Sequence, residues 1–169
     1  MRNVLHDLRK NLNMDVIFFS EIRDGKRMFK HVDTKPGCEV IATGGGSRLE
    51  ESFCQCVLEG RLPQLVHDAA QHIKRAQLPP TPFPVGAHLS APIVLTNGQV
   101  YGTLCCFSMT ADPSLTEKDL KKLECVARVA ARRIDDRLSK EREATIAQWQ
   151  LQPIEEDAAK NWGSKLRRT

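Results

Sequence analysis

The stretch Val85–Phe107, VGAHLSAPIVLTNGQVYGTLCCF, decides how this chain folds. Two apolar runs, Val85–Leu95 and Val100–Phe107, flank Asn97-Gly98, a pair suited to the positive φ values of a two-residue type I′ turn. A long antiparallel hairpin follows from that pattern. Both runs are nearly continuously apolar, as in strands covered on two faces, so the hairpin belongs at the centre of a sheet. Within it His88 and Ser90 share one face and Leu89 and Ala91 the other. Parity alone leaves open which face turns to which layer.

Working outward, Asp15–Ile22 (DVIFFSEI) is rich in β-branched and aromatic residues, and Asp24-Gly25 offers a second type I′ turn into Arg27–Val32. Before it, Val4, Leu5, Leu8 and Leu12 recur at helical spacing, which predicts a short amphipathic helix ending near Asn13. Asp33–Gly46 reads as a long loop carrying Pro36, Gly37 and a glycine triplet, without the Gly-Lys-Ser/Thr ending of a phosphate-binding loop. Ser47 and Glu50 form a capping box that predicts a helix over about Arg48–Glu59, closed by Gly60. Asp68 is placed to cap a helix Ala69–Gln77, and the prolines at 79, 80, 82 and 84 lead extended chain into the hairpin.

After the hairpin, Thr116 is the best N-cap for the longest element, with Leu115 and Leu120 as a hydrophobic staple. Leu120, Leu123, Ala127, Ala130 and Ile134 give that helix one apolar seam. Beyond Leu138 the run is mostly polar. It reads equally as a solvated helix end or as a coiled-coil stub pairing with a second copy. The tail from Pro153 shows little periodicity and is expected to be loosely ordered.

At 169 residues the chain has room for one domain with a helical extension. Its 41% hydrophobic and 27% charged residues are those of a globular protein, and no apolar run approaches the roughly 20 residues that span a bilayer. With no signal-peptide pattern at the start, the expected compartment is the cytoplasm. The net charge of +4 comes from basic residues interspersed with acidic ones, which argues against a nucleic-acid surface. Six cysteines without an export signal read as reduced thiols. Cys105 and Cys106 are strand neighbours pointing to opposite faces, and Cys54-x-Cys56 lacks zinc-ribbon spacing, so no metal site is expected.

The order helix, hairpin, loop with short helices, hairpin, long helix resembles the GAF domain superfamily, and within it bacterial sensory modules. The stretches that carry the likeness are Met14–Glu21, Glu50–Gly60 (EESFCQCVLEG), Arg61–Asp68 (RLPQLVHD), Ala91–Leu95 with Gly98–Phe107, and Leu115–Leu120. They cover residues 1–138, with 139–169 left as a helix extension and tail. The resemblance implies an α+β, GAF/PAS-like antiparallel sheet of five or six strands. Terminal helices would lie on one face and a small-molecule pocket, roofed by the loop and short helices, on the other. It also implies a homodimer through the terminal helices and, since 169 residues leave no room for an output domain, signalling to a separate partner.

Candidate ligand contacts under that resemblance are Cys54, Asp68, His88, Ser90 and Tyr101, each with a plainer reading. Cys54 is equally a small core residue and Asp68 a helix cap, while His88 and Ser90 face either the pocket or the helices, and Tyr101 needs a hydroxyl partner if buried. No cofactor is specified and no catalytic residue is assigned. The cysteine-histidine dipeptide by which phytochrome-like members attach a bilin is absent, since Glu39, Gln55, Val57, Cys106, Phe107 and Val126 follow the six cysteines. No Ser-His-Asp set is arguable around the five histidines. The expected function is binding of an unidentified small molecule without transforming it. A non-sensing dimerisation module is one alternative. Another is a thiol-based free methionine sulfoxide reductase, in which Cys54 is the nucleophile and Cys38 has to fold back from the long loop to resolve its sulfenic acid.

Overall fold

The computed structural model describes residues 1–73 and 77–150. Residues 1–133 form one compact unit; the second, Ile134–Thr169, is described as far as Gln150. The elements are α1 (Arg2–Asn11), β1 (Val16–Arg23), β2 (Lys26–Thr34), β3 (Gly46–Arg48), α2 (Phe53–Leu58), β4 (Leu65–Val66), β5 (His88–Val94), β6 (Val100–Phe107) and α3 (Glu117–Gln150). One antiparallel sheet of six strands runs in the order β3-β2-β1-β6-β5-β4. The hairpin β5–β6 thus lies inside the sheet and is buried on both faces from His88 to Ala91 and from Gly102 to Phe107, as its apolar runs require.

The two hairpins close differently. Asp24 (φ 52°) and Gly25 (φ 69°) both adopt positive φ, the expected type I′ turn. Asn97 does not, and the expected two-residue turn there is replaced by a three-residue loop. Leu95 N–H donates to Gln99 O (2.9 Å), Gly98 N–H donates to Leu95 O (2.9 Å), and Gly98 alone is left-handed (φ 82°). The Asn97 side chain explains the choice, because its Oδ1 accepts from Gln99 N–H at 2.9 Å. The longer loop shifts the register by one residue, and a bulge between Ile93 and Val94 shifts it back, so that Ser90 still pairs with Cys105 as a two-residue turn would have it.

A second bulge lies in the β1–β2 ladder, where Phe19 pairs with His31 but Ser20 with Phe29. Lys30 is the extra residue. Without it Arg27 and Phe29 would point to the opposite face.

One face of the sheet carries Val16, Phe18, Phe29, Cys105 and Phe107, which pack with Cys54, Val40, Ile41 and Phe83 from the loops and α2. The other buries Ile17, Phe19, Leu89, Ala91, Leu104 and Cys106. α1 packs on β1 and β2, and Asp119 of α3 lies near enough to raise the Cys106 thiol, which burial already pushes up. α1 is further tied down by Asp33 on β2, which accepts from Arg9 Nε at 2.6 Å and sits 3.1 Å from His6 Nδ1. At the start of α3, Thr116 stands in the predicted N-cap position, where its N–H and Oγ1–H donate to Asp119 Oδ2 at 3.0 and 2.8 Å, so the Asp119 carboxylate is the acceptor.

The expected helix Arg48–Glu59 is shorter. Gly46–Arg48 pairs with Lys26–Met28 as an edge strand, and a 3-10 turn, Leu49–Glu51, precedes α2. The cap is therefore Ser52, whose Oγ accepts from Gln55 N–H at 3.2 Å, instead of Ser47. Gly60 (φ 72°) closes α2 as expected, with Gly60 N–H donating to Val57 O and Arg61 N–H to Cys56 O. The helix expected over Ala69–Gln77 begins as a 3-10 turn, Ala69–His72; residues 74–76 of it and the tail expected from Pro153 lie outside the described residues.

Burial pushes the Asp33 carboxyl up, but hydrogen bonds from Arg9 and His6 outweigh it and hold the carboxyl below its ordinary value. A depressed folded-state value contributes stability above the unfolded-state value that is lost as pH falls through the folded one. Asp33→Asn should therefore cost about 1–2 kcal/mol in urea unfolding at pH 7, and the gap to the wild type should close as the pH is lowered through that range. A Cβ on Gly102 would lie 1.8 Å from Ser20 O in the neighbouring strand. Gly102→Ala should lower stability by about 3 kcal/mol or more in the same assay.

Candidate functional site

The face question left open by the hairpin is resolved: His88 and Ser90 turn to the loop side, opposite Phe107 and Cys105. Capping by Ser52 sets the start of α2 and leaves Cys54 on its buried side, above β6. There Cys54 Sγ lies 3.1 Å from Cys105 Sγ, and Ser90 Oγ lies 3.1 Å from the same Cys105 sulfur. All four residues are 3% exposed or less. Cys54 Sγ, Cys105 Sγ and a His88 ring nitrogen come within 4.8 Å of one another.

Arg27 completes the cluster. The Lys30 bulge turns it to this face, where Nη1 donates to Cys54 Sγ (3.1 Å) and Nη2 to Ser47 Oγ (3.0 Å). Its guanidinium lies 5.3 Å from the ring centre of Phe18 and 4.9 Å from that of Phe29. The hydrogen bond from Cys105, the Arg27 charge and the bond from His88 hold the Cys54 thiol well below its ordinary value. Burial and the adjacent Cys54 push Cys105 up. Of the pair, Cys54 is thus the more acidic thiol and Cys105 the hydrogen-bond donor to it.

Beside the cluster is a cavity of about 50 Å³ lined by Phe18, Arg27, Phe29, Ser52, Phe53, Phe83, His88 and Phe107 among others. Phe53 meets His88 edge-on at 5.7 Å and Phe83 stacks on Phe107 at 5.4 Å. Arg27 Nε and His88 Nδ1 are buried there without a hydrogen-bond partner. A larger groove, about 660 Å³, follows the proline segment and shares Phe53, Thr81, Phe83 and Val85 with the cavity.

Of the five sequence candidates, Cys54, His88 and Ser90 are brought together. Asp68 stands apart as a cap, its Oδ1 accepting from Ala70 N–H at 3.0 Å. Tyr101 lies 6.3 Å from Phe19, on the helix-side face, because the bulge in the β5–β6 ladder removes it from the alternation of its strand. Arg27 and Cys105 were missed. Cys105 was legible, since any Asn97-Gly98 hairpin in this register sets it opposite Ser90. Arg27 was not, because nothing in the residues around Lys30 announces a bulge.

A GAF domain family model matches residues 1–134, and the chain belongs to the GAF domain family. No curated protein matches it in sequence. Among solved structures, the blue-light-absorbing form of the PixJ GAF domain from Thermosynechococcus elongatus is similar at TM-score 0.62 and 13% identity, covering 89% of this chain and 91% of that one. The second GAF domain of DevS from Mycobacterium smegmatis is similar at 0.62 and 16%, covering 84% and 95%. A type II free methionine-R-sulfoxide reductase from Thermoplasma acidophilum is similar at 0.59 and 17%, covering 78% and 87%. At these identities the likeness is one of fold. Among the described residues no helix is long and apolar enough to cross a membrane.

The lowered Cys54 thiol has a spectroscopic signature. In a pH titration of the folded chain, absorbance at 240 nm should report a thiol that ionises below its ordinary range, absent in Cys54→Ser and displaced to higher pH in Arg27→Met.

Proposed function

We propose that this GAF chain is a sensory module that binds a small molecule between Arg27, Phe53, Phe83 and His88 without transforming it. The observation that carries this reading is the pair of unpartnered buried nitrogens, Arg27 Nε and His88 Nδ1, in the lining of one cavity walled by aromatic rings. A buried polar atom left unpaired costs about 1–3 kcal/mol, a cost that a matching group on a ligand removes. A carboxylate or carbonyl oxygen accepting from Arg27 Nε–H, on a flat apolar body, matches that lining. At about 50 Å³ the cavity accommodates little beyond a water molecule, so an organic ligand enters by displacing the Phe83 ring toward the neighbouring groove. Occupancy is passed to the terminal helices of a homodimer in a bacterial cytoplasm and on to a separate output protein. Exposed Ile146 and Trp149 on α3 supply apolar surface for the partner copy. Such coupling requires that the ligand bind two helix arrangements with different affinity.

Native mass spectrometry of gently purified protein is the test, followed by thermal shift with small carboxylic acids, amino acids, nucleotides and tetrapyrroles. A retained small mass, or a stabilisation of about 2.7 kcal/mol at a hundred times the dissociation constant that Arg27→Met abolishes, supports sensing. An empty dimer that none of these stabilises leaves the interaction-module reading, in which the chain's own aromatic side chains fill the pocket.

A second reading rests on the Cys54–Cys105 separation of 3.1 Å. In it Cys54 attacks the sulfur of a bound sulfoxide and Cys105 closes a disulfide. Two thiols are oxidised to one disulfide, the sulfoxide is reduced to the thioether, and its oxygen leaves as water with the two thiol protons. Cys105 here takes the resolving role that the sequence left to Cys38. Thiol-dependent turnover of free methionine sulfoxide, lost in Cys54→Ser and Cys105→Ser alike, is the result this reading requires.

A further inference from the structure

Cys54, His88 and Cys105 come from three different elements, α2, β5 and β6, and converge in a region that excludes water. Their donor atoms are two sulfurs and a ring nitrogen of His88. The groups around them are disposed as outer partners of such ligands. Arg27 Nη1 donates to one sulfur, and Ser90 Oγ lies at hydrogen-bond distance from the other. No carboxylate belongs to the set.

We propose that Cys54, Cys105 and His88 form a three-coordinate site for a soft monovalent cation, Cu(I). Two thiolates and an imidazole are the donors such a cation selects. Charge then decides among thiophilic metals. Two thiolates, the Arg27 guanidinium and Cu(I) sum to zero, whereas a divalent ion leaves a net positive charge in a buried region, where uncompensated charge is costly. A zinc ion would also require a fourth ligand, and the cluster presents three. Metal–sulfur bonds of about 2.3 Å span up to about 4.6 Å between sulfurs, so the present 3.1 Å is within reach of a bent sulfur–metal–sulfur unit. On binding, both thiols release their protons to solvent and the metal keeps its oxidation state. The site goes beyond the small-molecule reading: it uses the thiols, and leaves Arg27 Nε and His88 Nδ1 to the cavity.

The test is an anaerobic titration of the reduced full chain with Cu(I) in competition with a chromophoric bicinchoninate chelator. One equivalent should be retained per chain, with an ultraviolet sulfur-to-copper absorption. Cys54→Ser and Cys105→Ser should each weaken retention by at least about 100-fold, more than the loss of an outer-shell partner. Cys38→Ser and Cys125→Ser should retain it unchanged. X-ray absorption of the copper-loaded wild type, which needs no variant to fold, should give two sulfur neighbours and one nitrogen. Failure of the wild type to hold one equivalent, retention by the Cys54→Ser/Cys105→Ser double variant, a first shell without sulfur, or tighter binding of Zn(II) than of Cu(I) would each overturn the proposal. Copper retention without any organic ligand stabilising the chain leaves this site standing and removes the sensing reading; the reverse removes only the copper site.

Discussion

Side chains on a strand alternate between faces, so one extra residue in a ladder reassigns every side chain beyond it from one compartment to the other. Two such residues shape this protein. Lys30 turns Arg27 and Phe29 toward the loops, where they join Phe18 over Cys54. The bulge at Ile93/Val94 absorbs the longer Asn97 loop and keeps Ser90 opposite Cys105, while sending Tyr101 to the helix side. The sulfur cluster exists because both corrections occur: the first delivers its cation, the second its register.

Within the cluster, charge is managed by proximity and not by solvent. Arg27 spends its guanidinium on a sulfur, a serine hydroxyl and two aromatic faces, which offsets the loss of water around it. Cys54 is thereby the acidic thiol of the described core. Burial pushes Cys106 up, and Cys56 as well, where it outweighs the nearby Arg61. Residues of one type, a few positions apart, thus have different chemistry because one strand is a residue longer than its partner.

Much of the architecture was legible. The apolar runs around Asn97-Gly98, the Asp24-Gly25 turn, the Thr116 cap and the Gly60 terminus are local signals with local causes, and the structure keeps their positions. The site was legible in part. Cys54, His88 and Ser90 stood out by residue type, and strand pairing joined the last of these to Cys105. Asp68 and Tyr101 carried the same kind of signal and stand elsewhere, one occupied by its own backbone and one displaced by a bulge. What sequence could not supply was the competition between alternatives of similar energy. Ser47 and Ser52 both precede helical residues, and pairing of Gly46–Arg48 with β2 settles the cap on the second.

β2 also links the two layers. Arg27, near one end, bears on Cys54 above the sheet, and Asp33, near the other, holds Arg9 and His6 of α1 below it. The six residue steps from one to the other span about 20 Å of extended chain. One strand, with the Lys30 bulge between, therefore carries the loop-side cation at one end and the latch on a terminal helix at the other. The covalent backbone joins the two compartments without passing through the packed centre of the sheet.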